Sequence, residues 1–91
     1  VTFDPACAFE GNRHLSWLEI GIEGRTHGVA RGEVLSLEVP AKVSRVVVEW
    51  DQEGSIRDKR SYMVDFSRDS AFRIVGKGLT AWNWCAYLEP A

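Results

Sequence analysis

The sequence predicts an all-β fold, a small antiparallel sandwich or barrel of about six to seven strands. Three observations predict it. Apolar and polar residues alternate with period two in most segments. Clusters rich in Gly, Pro, Asp and Ser interrupt that alternation about every 8–12 residues, the spacing of a sandwich or barrel. No segment keeps apolar residues at i, i+3, i+4 and i+7 over two turns, as a core-facing helix would.

Along the chain, Val1 to Phe9 carries Phe3 and Phe9 and fits either an edge strand or a cover over one end. From His14 to Ile22, Leu18, Ile20 and Ile22 share one face, and Trp17 and Glu19 the other. Glu23 to Gly28 is Gly-rich and polar and reads as a turn. Val34 to Val39 alternates again, and Pro40 closes it because proline has no amide to give to a ladder. Val43 to Trp50 carries the strongest strand signal: β-branched residues dominate, with Val46, Val48 and Trp50 on one face.

Asp51 to Ser55 reads as a turn, and the polar stretch to Arg60 as an exposed loop. Tyr62, Val64 and Phe66 then alternate against Met63 and Asp65, and Ser67 to Ser70 connects onward. Phe72 and Ile74 mark a short strand that Gly76-Lys77-Gly78 turns. The final strand, Thr80 to Leu88, places Trp82, Trp84, Ala86 and Leu88 on one face and Asn83, Cys85 and Tyr87 on the other.

The 91 residues form one domain, 1–91, without repeat, linker or low-complexity run. Apolar residues make up 45% and charged residues 26%, enough apolar side chain to offset the entropy of ordering. A net charge of −2 lacks the cationic footprint that a general nucleic-acid binder needs. The nearest basic cluster, Arg57, Lys59 and Arg60, is interrupted by Asp58 and reads as solvated loop. No apolar run approaches the ~18 residues of a membrane span.

Cys7 and Cys85 lie near opposite ends of the chain. A disulfide between them would tie the amino-terminal segment to the last strand and stabilise a domain of this size by about 4–5 kcal/mol on the chain-entropy model. Two buried free thiols are the alternative. Localisation leans extracytoplasmic or periplasmic only through that disulfide.

Little in the sequence carries chemistry. His14 and His27 are the two histidines, and no nucleophile-elbow signature accompanies them. Period two aligns Glu49, Asp51 and Glu53, or sets Glu19 near Glu23, but a hydrolytic pair also needs a cleft. Gly54 falls at the wrong place for a calcium loop, and Gly76-Lys77-Gly78 is too short to cradle phosphate. No nicotinamide, flavin, haem or metal is implied.

The four tryptophans carry more information. Trp50 reads as core. Trp82 and Trp84 share a face, and either fill the core or join Trp17 in an aromatic platform. The candidate binding surface is therefore Trp17, Glu19, Arg25, Trp82, Asn83 and Trp84.

The stretch "WLEIGIEGRTHGVARGEVLSLEVPAKVSRVVVEW", followed by "SIRDKRSYMVDF", resembles bacterial Ig-like sandwich modules of the PEGA type. The turn after the first strand is Glu23-Gly24 where those modules usually have Asp-Gly, and the corner is Pro40-Ala41-Lys42 where Pro-Gly-Lys is usual. The resemblance implies an Ig-like spacer or interaction unit with no shared catalytic residues.

The expected function is a non-enzymatic interaction module whose partner is another protein or itself, as a homodimer built on an edge strand or the Trp17 face. The alternative is a small carbohydrate-binding module that uses exposed tryptophans. An enzyme of unrecognised type stands behind both. Neither nucleic acid nor a membrane span enters these readings.

Overall fold

A computed structural model of the chain describes residues 1–52, 56–80 and 83–91. The fold is a two-layer β-sandwich. Its elements are β1 (Thr2–Asp4), α1 (Ala6–Gly11), β2 (Leu15–Ile22), β3 (Arg25–Gly28), β4 (Leu35–Ser36), β5 (Val43–Gln52), β6 (Ile56–Asp65), β7 (Ala71–Lys77) and β8 (Cys85–Pro90). One sheet runs β4-β1-β7-β8 and the other β3-β2-β5-β6.

The alternation read from the sequence sets the inner faces. Leu18, Ile20 and Ile22 on β2 and Val46, Val48 and Trp50 on β5 are all buried. Across the sandwich they meet Phe3, Phe72, Ile74, Trp84 and Ala86 of the other sheet. Phe3 stacks on Phe72 with centroids 5.4 Å apart, and Trp50 meets Trp84 edge-on at 5.8 Å. Each such pair adds about 0.5–1.5 kcal/mol beyond the area it buries.

The structure corrects several expectations. The described residues form eight strands rather than six or seven, and one pairing is parallel: β1 lies between β4 and β7 and runs parallel to β7. The Val1–Phe9 segment is thus an inner strand followed by a helix. Helix α1 is too short to persist alone. It holds because Asp4 Oδ1 accepts the Ala6 amide and because Ala8 and Phe9 are buried. Arg25–Gly28 is a strand, β3, joined to β2 by a tight turn in which both Glu23 (φ 52°) and Gly24 (φ 75°) are left-handed. That is the type I′ geometry matching sheet twist.

Of the strand expected at Val34 to Val39, Leu35–Ser36 is paired. The stretch expected as an exposed loop up to Arg60 is instead the first half of the ten-residue β6. Of the turn expected over Asp51 to Ser55, Asp51 and Gln52 instead end β5, and 53–55 lie outside the described residues. The final strand starts at Cys85, later than expected.

The disulfide is also corrected. Cys7 and Cys85 are both free thiols. Cys7 lies exposed on α1, which packs along β7, whereas Cys85 sits on β8, the strand paired to β7. Cysteine usage therefore assigns no compartment.

Candidate functional site: the outer face of the β3-β2-β5-β6 sheet

Side chains alternate across a strand, so burying Leu18, Ile20 and Ile22 turns Trp17 and Glu19 outward. The same rule turns Val43, Arg45, Val47, Glu49 and Asp51 of β5 outward. Register across β5 and β6 pairs Val43 with Asp65, Arg45 with Met63, Val47 with Ser61, Glu49 with Lys59 and Asp51 with Arg57. These residues make one continuous outer face.

Its centre is a depression. Gly21 has no side chain, and Val47 opposes it across the ladder, leaving an open groove of about 500 Å³. Glu19 and Glu49 border the groove on one side and Arg45 on the other, with Arg25 at its rim. A beta-carbon at Gly21 would make ordinary contacts with Val47 and Thr26, so the groove reflects a missing side chain and no backbone constraint.

At one end of the face Arg57 joins Trp17 to Glu49. Its guanidinium lies 4.5 Å from the Trp17 ring centroid, and its Nε donates to Glu49 Oε2 at 2.7 Å. The Glu49 carboxylate, through that hydrogen bond and its charge, with Asp51 and Glu19 farther away, holds Arg57 above the usual guanidinium range. At the other end Val43 and Met63 are 56% and 69% exposed. An apolar pair that open on the solvent face of an antiparallel sheet runs against its normal polar patterning.

The sequence-derived surface divides. Trp17 and Glu19 share the outer face, and Arg25 stands at its rim opposite Ile22 on the edge strand. Trp84 is buried (6% exposed) against Trp50, on the far side of the sheet from Trp17. Asn83 acts in local structure: its Oδ1 accepts from the Leu79 amide, the Thr80 amide and Thr80 Oγ1. Trp82 lies outside the described residues. Arg45, Val47, Glu49, Arg57 and Met63 were missed, because the face is complete only once β6 is recognised as a strand beside β5.

His14 and His27 line separate clefts, the first with Asn12 and Thr80, the second with Leu37 and Glu38. Among the described residues no three of His, Cys, Asp and Glu are grouped so as to hold a metal ion. Among the described residues no helix is long and apolar enough to cross a membrane.

Compared with protein-family models, with curated proteins and with solved structures, the chain matches none of them.

Proposed function

We propose that the chain is a non-enzymatic β-sandwich interaction module that engages a protein partner through the outer face of the β3-β2-β5-β6 sheet. The observation that carries this reading is the open apolar strip on that face: Val43 and Met63, both more than half exposed, continue to Val47 and the groove over Gly21. Charges of both signs flank the strip. Apolar centre with polar surround is the general anatomy of a protein interface. The spacer-and-interaction role implied by a PEGA-type resemblance agrees with this reading, which rests on the face and not on the resemblance.

The carbohydrate alternative is weaker, because a sugar platform needs open aromatic rings. Trp84 packs in the core, and Trp17 already carries the Arg57 guanidinium on its ring.

A photo-crosslinking amino acid at Ser61, on the face, compared with one at Val75, on the outer side of the other sheet, tests the proposal. Protein adducts concentrated at position 61, whether with other proteins or with the chain itself, support it. Equal yields at the two positions, or none, overturn it.

A further inference from the structure

The charges on the outer faces of β5 and β6 are antisymmetric about the row of Val47 and Ser61. On β5, Arg45 stands on one side of Val47 and Glu49 with Asp51 on the other. On β6, Asp65 stands on one side of Ser61 and Lys59 with Arg57 on the other. Each strand therefore inverts its sign across the same row, one pleat away on β5 and further out on β6.

We infer that the partner of this face is a second copy of the chain, docked sheet to sheet about a twofold axis that runs across the strands along the Gly21–Val47–Ser61 row. The inference rests on the interaction-face reading above and names its occupant. A twofold axis demands a self-complementary patch, and rotation about this row supplies one. Val47 meets Val47 of the other copy and the two Gly21 depressions face each other. Arg45 falls on Glu49 of the other copy, twice by symmetry, while the Arg57 guanidinium stays over Trp17 of its own copy. Met63 falls on the aliphatic stem of Lys59, which long cationic side chains readily offer to apolar surface.

Asp51 falls opposite Val43, two outward positions from the axis, and gains no charge partner there. Glu19 falls opposite the Glu23-Gly24 turn, where the Glu23 carboxylate is already engaged by Ser44 Oγ at 2.7 Å and by Lys42 Nζ at 3.6 Å. Aligned sheets cross at about 30°. Arg45 and Glu49 lie about 7 Å from the axis, so they keep their pairing despite the twist, while the contacts at the ends of the strands loosen. The four strands, of four, eight, ten and ten residues, cover roughly 500 Å² per copy, below the ~800 Å² per partner of a standard interface. Dimerisation should accordingly be weak and visible at tens to hundreds of micromolar.

The test is a charge exchange read by sedimentation equilibrium from roughly 10 to 500 µM, a range suited to such a small interface. The wild-type chain is expected to approach twice 10.2 kDa as concentration rises. Arg45→Glu alone places carboxylate on carboxylate at both symmetric contacts, and Glu49→Arg alone places guanidinium on guanidinium. Each is expected to weaken self-association at least ~10-fold. Mixed in equal amounts, the two variants satisfy both contacts, and a heterodimer should return at near wild-type affinity. Val47→Glu, which brings two carboxylates together on the axis, serves as a second disruptive variant should a charge reversal unfold the chain.

A wild-type chain that stays monomeric throughout overturns the homodimer. In that case adducts at position 61 with other proteins would leave the interaction-face reading standing, and their absence would remove both. A wild-type dimer that tolerates either single variant, or a mixture that fails to reassociate, overturns the axis.

Discussion

Gly76 lies directly beneath the Trp84 indole: a beta-carbon at position 76 would overlap Cζ2, Cε2 and Nε1 of that ring. The two are brought together by register, since Gly76 pairs with Ala86 and leaves the space over β7 that Trp84 fills. Gly76→Ala should therefore displace the indole and disturb its edge contact with Trp50. An overpacked core position of this kind costs about 1–3 kcal/mol, and each kcal/mol lowers the melting temperature of a domain this size by about 4–8 °C. Thermal melting of the variant checks the magnitude, and an unchanged midpoint would mean that Trp84 has room to move.

Trp50 is 1% exposed, and its Nε1 has no hydrogen-bond partner among the described residues. Burying a donor without a partner costs about 1–3 kcal/mol. Trp50→Phe removes that donor while keeping an aromatic body against Trp84, so the loss of packing area is partly offset. The expected destabilisation is under about 1.5 kcal/mol, against about 3–5 kcal/mol for Trp50→Ala. Urea denaturation of the two variants should separate them clearly.

Much of the core was legible because period two and burial coincide there: Leu18, Ile20 and Ile22 on β2 and Val46, Val48 and Trp50 on β5 fall inside as the alternation requires. The misses share a physical cause. In β6, Arg57 to Ser61 are all exposed, so the strand has no apolar face in its first half and reads as loop. Its strand character comes from the ladder to β5, a non-local interaction. Helix α1 is similarly invisible, since six residues are too few to show a helical period and it is held by tertiary packing of Ala8 and Phe9. At the candidate site, Trp17 and Glu19 were legible from β2 alone. Arg57 and Met63 required the pairing of β5 with β6.

Arg57 shields the Trp17 ring. Arg57→Ala should expose it, raising acrylamide quenching and shifting the emission to the red, with little change in melting temperature because the cation and its Glu49 partner sit at the surface. Adding soluble glycans to the wild-type chain should leave the quenching unchanged. Glycan-dependent protection would reverse the ranking of the protein and carbohydrate readings.

Both cysteines should titrate as free thiols. Under denaturing, non-reducing conditions two thiols per chain are expected, since Cys7 on α1 and Cys85 on β8, two separate elements, are both free. Fewer than two would require these elements to sit closer than the fold places them.

Stability should fall on the acid side through two turn carboxylates. Glu23 is held below the usual carboxylate range by its hydrogen bond from Ser44 and then by the charge of Lys42. Asp65 is held low by the Ser67 side chain and then by the Ser67 amide. A group whose folded pKa is depressed binds fewer protons folded than unfolded between its two pKa values, so stability rises with pH across that window. The contribution is complete above the unfolded carboxylate pKa and is lost as pH falls through the lowered folded value. Glu23→Gln and Asp65→Asn should each flatten the acid limb of a melting-temperature profile while leaving its neutral-to-alkaline shape in place. The Glu23 effect should shrink in high salt more than the Asp65 effect, because part of it is the charge of Lys42 rather than a hydrogen bond. An acid limb as steep in the double variant as in the wild-type chain would place the acid sensitivity in other carboxylates.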